Sequence, residues 1–157
     1  MTWRTAVPAD AEALADLEQA ANEKSLAHIF AGHPFPWDVV VANWRTRLGA
    51  SDHVVEVVDG RGRLSAFCCW SAERLEHLAV HPSERGRGLA KEGISRAAAA
   101  IGASGREPVL WCLADNAVAR AMYEHLGWML TGRTTRCQYP PFHEEVEYVL
   151  RWAHDGV

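Results

Sequence analysis

The sequence predicts a single α/β domain, a mixed sheet with helices on both faces. Three observations predict it. Short apolar runs at 64–70, 75–80 and 108–113 are bounded by turn residues and are too short for helices. Four longer stretches keep helical spacing between recognisable start and stop signals. The order is hairpins first, then strand, loop, helix, strand, helix, strand, strand. A length of 157 residues suits one domain with a core of its own.

Residues 3–6 read as a short first strand that Pro8 ends. Asp10 is placed to cap a helix, and Leu14, Leu17, Ala20 and Ala21 carry its apolar face toward Ala27 or Phe30. Gly32, Pro34 and Pro36 break it, because proline cannot continue a helix. A second helix spans 37–48 and stops at Gly49. The valine-rich stretch 53–58 is a strand, Asp59-Gly60 a hairpin turn, and 64–70 its return. A tight turn at 71–74 leads into the strand at 75–80. Residues 88–103 form a helix in which the alanines at 97–100 raise the propensity. A strand follows at 108–113. Asn116 caps a helix that reaches His125 before Gly127. The last strands are 128–137 and 146–152, joined by the loop Tyr139-Pro140-Pro141-Phe142-His143.

Composition excludes several classes. The net charge of −4 argues against nucleic acid and anionic membrane as partners. No apolar run approaches the ~20 residues of a membrane span, and the first residues lack a signal-peptide pattern, so a cytoplasmic location is expected. Cys68, Cys69 and Cys112 fall within strands and read as buried, reduced thiols. Neither these, nor Cys137, nor the eight histidines adopt metal-ligand spacing, so no metal is expected.

The most informative stretch is Val80-His-Pro-Ser-Glu-Arg-Gly-Arg-Gly-Leu-Ala90. An apolar strand runs through a proline turn and a Gly/Arg-rich loop into a helix. That order presents bare backbone N–H groups and a helix N-terminus to an anion. Amides from Arg87 to Ala90 are expected to face a pyrophosphate. Arg85 and Arg87 are charge partners, with Lys91 nearer a 3′-phosphate. The glycines do not fit a dinucleotide fingerprint or a P-loop.

The loop resembles the acetyl-CoA loop of the GCN5-related N-acetyltransferases, Gln/Arg-x-x-Gly-x-Gly/Ala, here Arg85, Gly88 and Ala90. A second stretch, from Asn116 through Ala119 and Tyr123 to Gly127-Trp128, resembles another signature of that family. The resemblance covers about residues 2–152. It implies six or seven mostly antiparallel strands, splayed between the fourth and the fifth, and acetyl-CoA as cofactor. It also implies that Leu78 and Val80 pair with the pantetheine arm, that Gly86 and Leu89 belong to the pyrophosphate loop, and that Asn116 and Ala119 contact the cofactor. Tyr123 would be the general acid that protonates the departing thiolate.

Amine acetylation needs a neutral nucleophile. At pH 7, deprotonation costs about 4.6 kcal/mol for a lysine-like amine and only about 1 for an α-amine. Glu76 is the first candidate base, placed by alternation on the side of Leu78 and Val80. Glu56 is the second, and a water chain the third. His77 should face the other way. By resemblance the acceptor pocket comes from Phe30, His33, Phe35 and Trp37 and from Tyr139, Phe142 and His143. Trp37 and Trp44, seven apart, read as core packing.

The expected activity is acetyl transfer to a small amine such as an amino acid, polyamine or antibiotic. The stretch from Arg136 to Pro140 also resembles the ribosomal-protein α-N-acetyltransferases, which keeps a protein N-terminus as the alternative acceptor. A non-catalytic coenzyme A sensor is the alternative of another class. Edge strands in this fold pair between subunits, which leaves a homodimer open.

Overall fold

The computed structural model describes residues 1–151. Its strands are β1 (Trp3–Thr5), β2 (Val54–Asp59), β3 (Leu64–Trp70), β4 (Arg74–Val80), β5 (Val109–Leu113), β6 (Met129–Arg136) and β7 (Glu144–Val149). Its helices are α1 (Ala11–Ser25), α2 (Trp37–Gly49), α3 (Leu89–Ala103) and α4 (Ala117–His125). The seven strands form one sheet in the order β1-β2-β3-β4-β5-β7-β6. Every pair is antiparallel except β4–β5.

Helices cover both faces, as expected. On one side α1 and α2 pack over β2 and β3, and Leu14, Val40, Trp44, Val57 and Phe67 are almost fully buried there. Trp44 meets the Phe67 ring edge-on at 4.9 Å and donates its indole N–H to Glu18 Oε2 at 2.9 Å. On the other side α3 and α4 enclose Ile94, Ile101, Leu110, Tyr123 and Tyr148. The contact of α3 is close: a Cβ on Gly93 would stand 2.9 Å from Leu78 and 3.1 Å from Trp3.

The larger departures from expectation are at the end of α1, at Asp10 and in the last strand. Helix α1 stops at Ser25, short of Ala27. Asp10 does not cap it with its side chain; its carboxylate takes the Val7 N–H at 2.7 Å and the Arg4 guanidinium at 2.9 and 3.1 Å. Strand β7 begins at Glu144 and ends at Val149, and the expected end at Trp152 lies outside the described residues.

The parallel pair positions everything else. β4 and β5 are in register only at Arg74↔Val109 and Leu75↔Leu110, and then separate. Opposite the fork, β3 advances one residue from Cys69 to Trp70 while β4 advances two, from His77 to Leu75. Glu76 is therefore the extra residue of a β-bulge, which bends its strand. The closed end is locked. Arg74 reaches over the Trp111 ring, 5.1 Å from its centroid, to Glu147 Oε2 at 3.2 Å on β7. Glu147 is 3 % exposed and also accepts from Thr131 Oγ1 at 3.0 Å.

Removing one partner of a buried ion pair strands the other charge. Glu147→Ala should therefore lower unfolding free energy by about 3–5 kcal/mol in urea titrations. A loss under 1 kcal/mol would mean that Arg74 is solvated and the clamp is idle.

Candidate functional site

At the wide end of the fork, β4 keeps an edge that β5 does not use. The His81 N–H is bonded to Ser65 O on β3. Alternation then turns the amides of Leu78 and Val80 the other way, into the gap. A peptide-like arm can add there as a pseudo-strand.

The anion loop lies at the end of this strand. A 3-10 turn, Pro82–Glu84, is followed by Arg85, Gly86, Arg87 and Gly88, and α3 begins at Leu89. Gly86 and Gly88 both have φ of +80°, a conformation that disfavours side chains, and a Cβ at either would meet nothing within 4 Å. These glycines thus serve the turn of the chain. Gly88 occupies the N-cap of α3 with no side chain capping it. The first amides of the helix, Leu89 and Ala90 among them, are left for an anion. Arg87 is not a free phosphate ligand: its Nη1 lies 3.2 Å from Glu84 Oε2.

Beneath the fork lies Tyr123. Its ring packs between Trp128 and Tyr148, each with centroids 6.0 Å away. Burial raises its pKa, and Cys112 on β5 and Cys68 on β3 add to the effect. The phenol therefore holds its proton at neutral pH, as a general acid must. Asn116 Oδ1 is used within the fold, accepting the Ala119 N–H at 3.2 Å as the cap of α4. Ala119 packs against the cluster that contains Tyr123.

Glu76 is half-buried at the bulge. Strict alternation does not hold there: Leu75 and Leu78, three apart, pack into the same cluster. Glu56, the second candidate base, is held by Arg96, at 2.8 and 3.0 Å. His77 faces α2, with its ring centroid 5.7 Å from that of Trp44. Burial, helped by Arg47 and His53, pulls its pKa down to about 3.

The expected acceptor residues divide into two groups. Tyr139 accepts a 2.7 Å hydrogen bond from Asn43 on α2. His143 Nε2 lies 2.6 Å from Ile29 O, and its ring meets Phe30 edge-on at 5.8 Å. The β6–β7 loop is thereby tied to the α1–α2 segment as one wall, with His33 and Phe142 exposed nearby in sequence. Phe35 and Trp37 pack, like Tyr139, on the core, and Trp37 donates to Asp16 Oδ1 at 2.8 Å.

Two carboxylates on this side escaped the sequence reading. Glu145 lies opposite Leu113, the last residue of β5, and shares a face with Glu147 and Trp111. Among the described residues its carboxylate has no hydrogen bond or ion pair, and burial raises its pKa against the pull of Arg74. Glu18, bonded to Trp44, is raised by burial as well. Alternation along β7 was the available signal for Glu145.

The thiols are poor nucleophiles. Burial pushes the pKa values of Cys69 and Cys112 up to about 12 and raises that of Cys68. Among the described residues, no group of three His, Cys, Asp or Glu is placed to hold a metal, and no helix is long and apolar enough to cross a membrane. A recess of about 470 Å³ lies at the closed end of the fork between Arg74, Arg106, Arg133 and their glutamate neighbours. It is remote from the open edge of β4.

A parallel strand pair that parts after two residues, with a glycine-turned helix N-terminus at its mouth, makes an open slot that ends in an anion site. The family model for FR47-like protein matches residues 60–137, from the β2–β3 turn to just past β6. A GCN5-related N-acetyltransferase from Rhodopseudomonas palustris superposes with a TM-score of 0.76 at 18% identity, covering 96% of this chain and 95% of that one. YncA from Salmonella typhimurium, solved with its cofactor acetyl-CoA, gives 0.66 at 20% identity, with 99% and 96% covered. The ribosomal-protein-S18-alanine N-acetyltransferase of Escherichia coli gives 0.69 at 20% identity, with 99% and 97% covered. No curated protein matches by sequence. The chain has the fold of the GCN5-related N-acetyltransferases, and its stretch 60–137 resembles FR47-like protein.

The desolvated ring of His77 gives a pH prediction. Folded His77 stays neutral down to about pH 3, whereas in the unfolded chain it takes a proton near 6.5. It has no effect above that value. Below it, stability falls by up to about 1.4 kcal/mol per pH unit. Between pH 7 and pH 5 the wild type should lose about 2 kcal/mol more than His77→Leu in urea midpoint measurements. Equal losses would mean that the ring titrates normally.

Proposed function

We propose that this protein transfers the acetyl group of acetyl-CoA to a primary amine by direct attack. The preferred acceptor is a small molecule such as an amino acid, polyamine or antibiotic. The observation that carries this is the fork: unpaired amides of Leu78 and Val80 line a slot that ends at the uncapped start of α3. Arg85, Gly86, Gly88, Leu89 and Ala90 take the diphosphate, and Asn116 and Ala119 flank the arm.

The chemistry balances with two groups. Glu76 takes one proton from the acceptor ammonium. The nitrogen lone pair adds to the thioester carbon, and the oxyanion is met by a strand amide near Val80. As the C–S bond breaks, Tyr123 gives its proton to sulfur. It regains one as the new amide nitrogen sheds its second proton, so one proton in all reaches solvent through Glu76. The high pKa values of the strand thiols support direct attack over an acetyl-cysteine intermediate. Phe30, His33, Tyr139 and Phe142 bound the acceptor on the α1–α2 side, with Phe35 and Trp37 supporting the wall from the core.

A protein N-terminus remains the second acceptor class, supported by the likeness to the S18-alanine enzyme at the level of fold. It is disfavoured because Trp111 and Cys112 stand in the strand where the ribosomal enzymes' base glutamate is expected. A panel of small amines and N-terminal peptides, read by release of free thiol, separates the two classes. Thiol release with neither, despite coenzyme A binding, would favour a sensor.

Tyr123→Phe should lower kcat by about 10²–10⁴ while the Kd for coenzyme A stays unchanged. Glu76→Gln should lower kcat and remove the acid-side limb of its pH profile, with Glu145→Gln as comparator. If turnover in both Tyr123→Phe and Glu76→Gln stays at wild-type level across pH, neither is acid or base. If the loss appears in Glu145→Gln instead, the base lies on β7.

A further inference from the structure

The loop proposed to receive a diphosphate contains an anion of its own. Glu84 ends the 3-10 turn, and its side chain is only 14% exposed. A buried carboxylate beside a diphosphate repels it, and the repulsion is strongest where water is excluded. Two arginines answer that charge. Arg87 Nη1 lies 3.2 Å from Glu84 Oε2, and Arg63 Nη2 lies 3.7 Å from Glu84 Oε1. The Arg87 contact is a charge contact without hydrogen-bond alignment, since Glu84 Oε2 is buried and makes no hydrogen bond. Arg87 is also 62% exposed and free to turn.

Arg63 comes from elsewhere in the fold, the turn between β2 and β3, twenty residues before Ser83. Its Nη2 donates to Ser83 Oγ at 2.5 Å. Ser83 Oγ lies 2.8 Å from His81 Nδ1, and the same nitrogen accepts the Ser83 N–H at 3.2 Å. Nδ1 must then be unprotonated and the serine hydroxyl must donate to it. Burial, with Arg63 and Arg85 nearby, lowers the pKa of His81 and favours this neutral ring. Guanidinium, hydroxyl and imidazole thus form one directed chain. It fastens the start of the loop to the neighbouring hairpin.

We propose that Arg63 is a positioning residue for the cofactor: it stays on Glu84 as counter-charge when Arg87 leaves for the diphosphate, and so keeps the loop receptive to an anion. This takes the loop as a diphosphate site, as proposed above. A phosphate oxygen is a better partner for Arg87 than a misaligned carboxylate. Glu84 is not abandoned in the exchange, because Arg63 is anchored by its bond to Ser83. Arg63 itself need not touch the cofactor.

Binding of coenzyme A by titration calorimetry tests this on the whole protein. Arg63→Ala should weaken binding by about tenfold and raise the KM for acetyl-CoA with kcat unchanged. Arg63→Lys should keep most of the affinity, since the charge remains. Glu84→Gln should bind at least as well as wild type. The decisive variant is Arg63→Ala with Glu84→Gln: removal of the carboxylate should restore affinity to within about threefold of wild type. Wild-type affinity in Arg63→Ala overturns the proposal. So does a double variant as weak as the single one, because Arg63 would then act only by bracing Ser83. Should Arg63→Ala fail to fold, Arg63→Gln replaces it in the same comparison. A wild type with no affinity for coenzyme A overturns the acetyltransferase reading itself, whereas a binding wild type with an unaffected Arg63→Ala overturns only the role of Arg63.

Discussion

The parting of β4 from β5 is the constraint on which the rest of the structure depends. Parallel strands ordinarily continue in register, each satisfying the amides of the other. Here two residues pair and the following ones do not. The closed end is secured by Arg74, Trp111 and Glu147, which tie three strands through one guanidinium. At the parting point β4 carries the extra residue of the bulge, Glu76. Buried amides without partners are costly, so an edge held open in this way is completed by a ligand with peptide-like groups. Fold stability and cofactor recognition are therefore coupled through the same few backbone groups.

On the proposed reading, the fork also separates the two proton transfers. Tyr123 belongs to the cluster under α3 and α4, and the acceptor wall belongs to the side of α1 and α2. A closed sheet would isolate these faces from each other. An opened one lets a thioester lie between them, sulfur toward one face and incoming amine toward the other. The electrostatics agree with that division. Desolvation raises the pKa values of Tyr123 and of the neighbouring thiols, so the lower face holds protons. The upper face carries the carboxylates Glu76, Glu145 and Glu18, which suit a group that arrives as a cation.

Most of the fold was legible because it rests on local signals. Turn residues at 71–74, the cap at Asn116 and the glycines at 86 and 88 each act over a few residues, and the structure turns or caps the chain at each; at Asp59-Gly60 the turn falls one residue later, over 60–63. What could not be read involves partners distant in the chain. Asp10 serves Arg4 and Val7 rather than the helix it precedes, and Arg4 also reaches Asp59, 55 residues on. Glu56 is held by Arg96, 40 residues away. Arg87 turns to Glu84 because the loop folds back on itself. The bulge has no composition that announces it; Arg-Leu-Glu-His-Leu reads as an ordinary alternating strand. That is why Glu76 was assigned to a face by strict alternation.

Glu76 joins the opening of the sheet to its chemistry. A carboxylate within a regular, doubly paired strand would have neighbours fixed on both sides and little freedom to meet a substrate. The residue that a bulge adds has no register partner, so its side chain is not committed to the sheet. Placing glutamate at that residue puts an acidic group where β4 leaves β5, within the length of a few strand residues of Leu78 and Val80. One inserted residue thus has two consequences: it bends the strand that exposes the slot, and it leaves a proton acceptor beside it. Deleting Glu76 should close the fork as well as remove the proposed base, whereas Glu76→Gln keeps the bulge and removes only the charge. A comparison of those two variants by coenzyme A affinity separates geometry from chemistry. Affinity should vanish in the deletion and persist in the substitution.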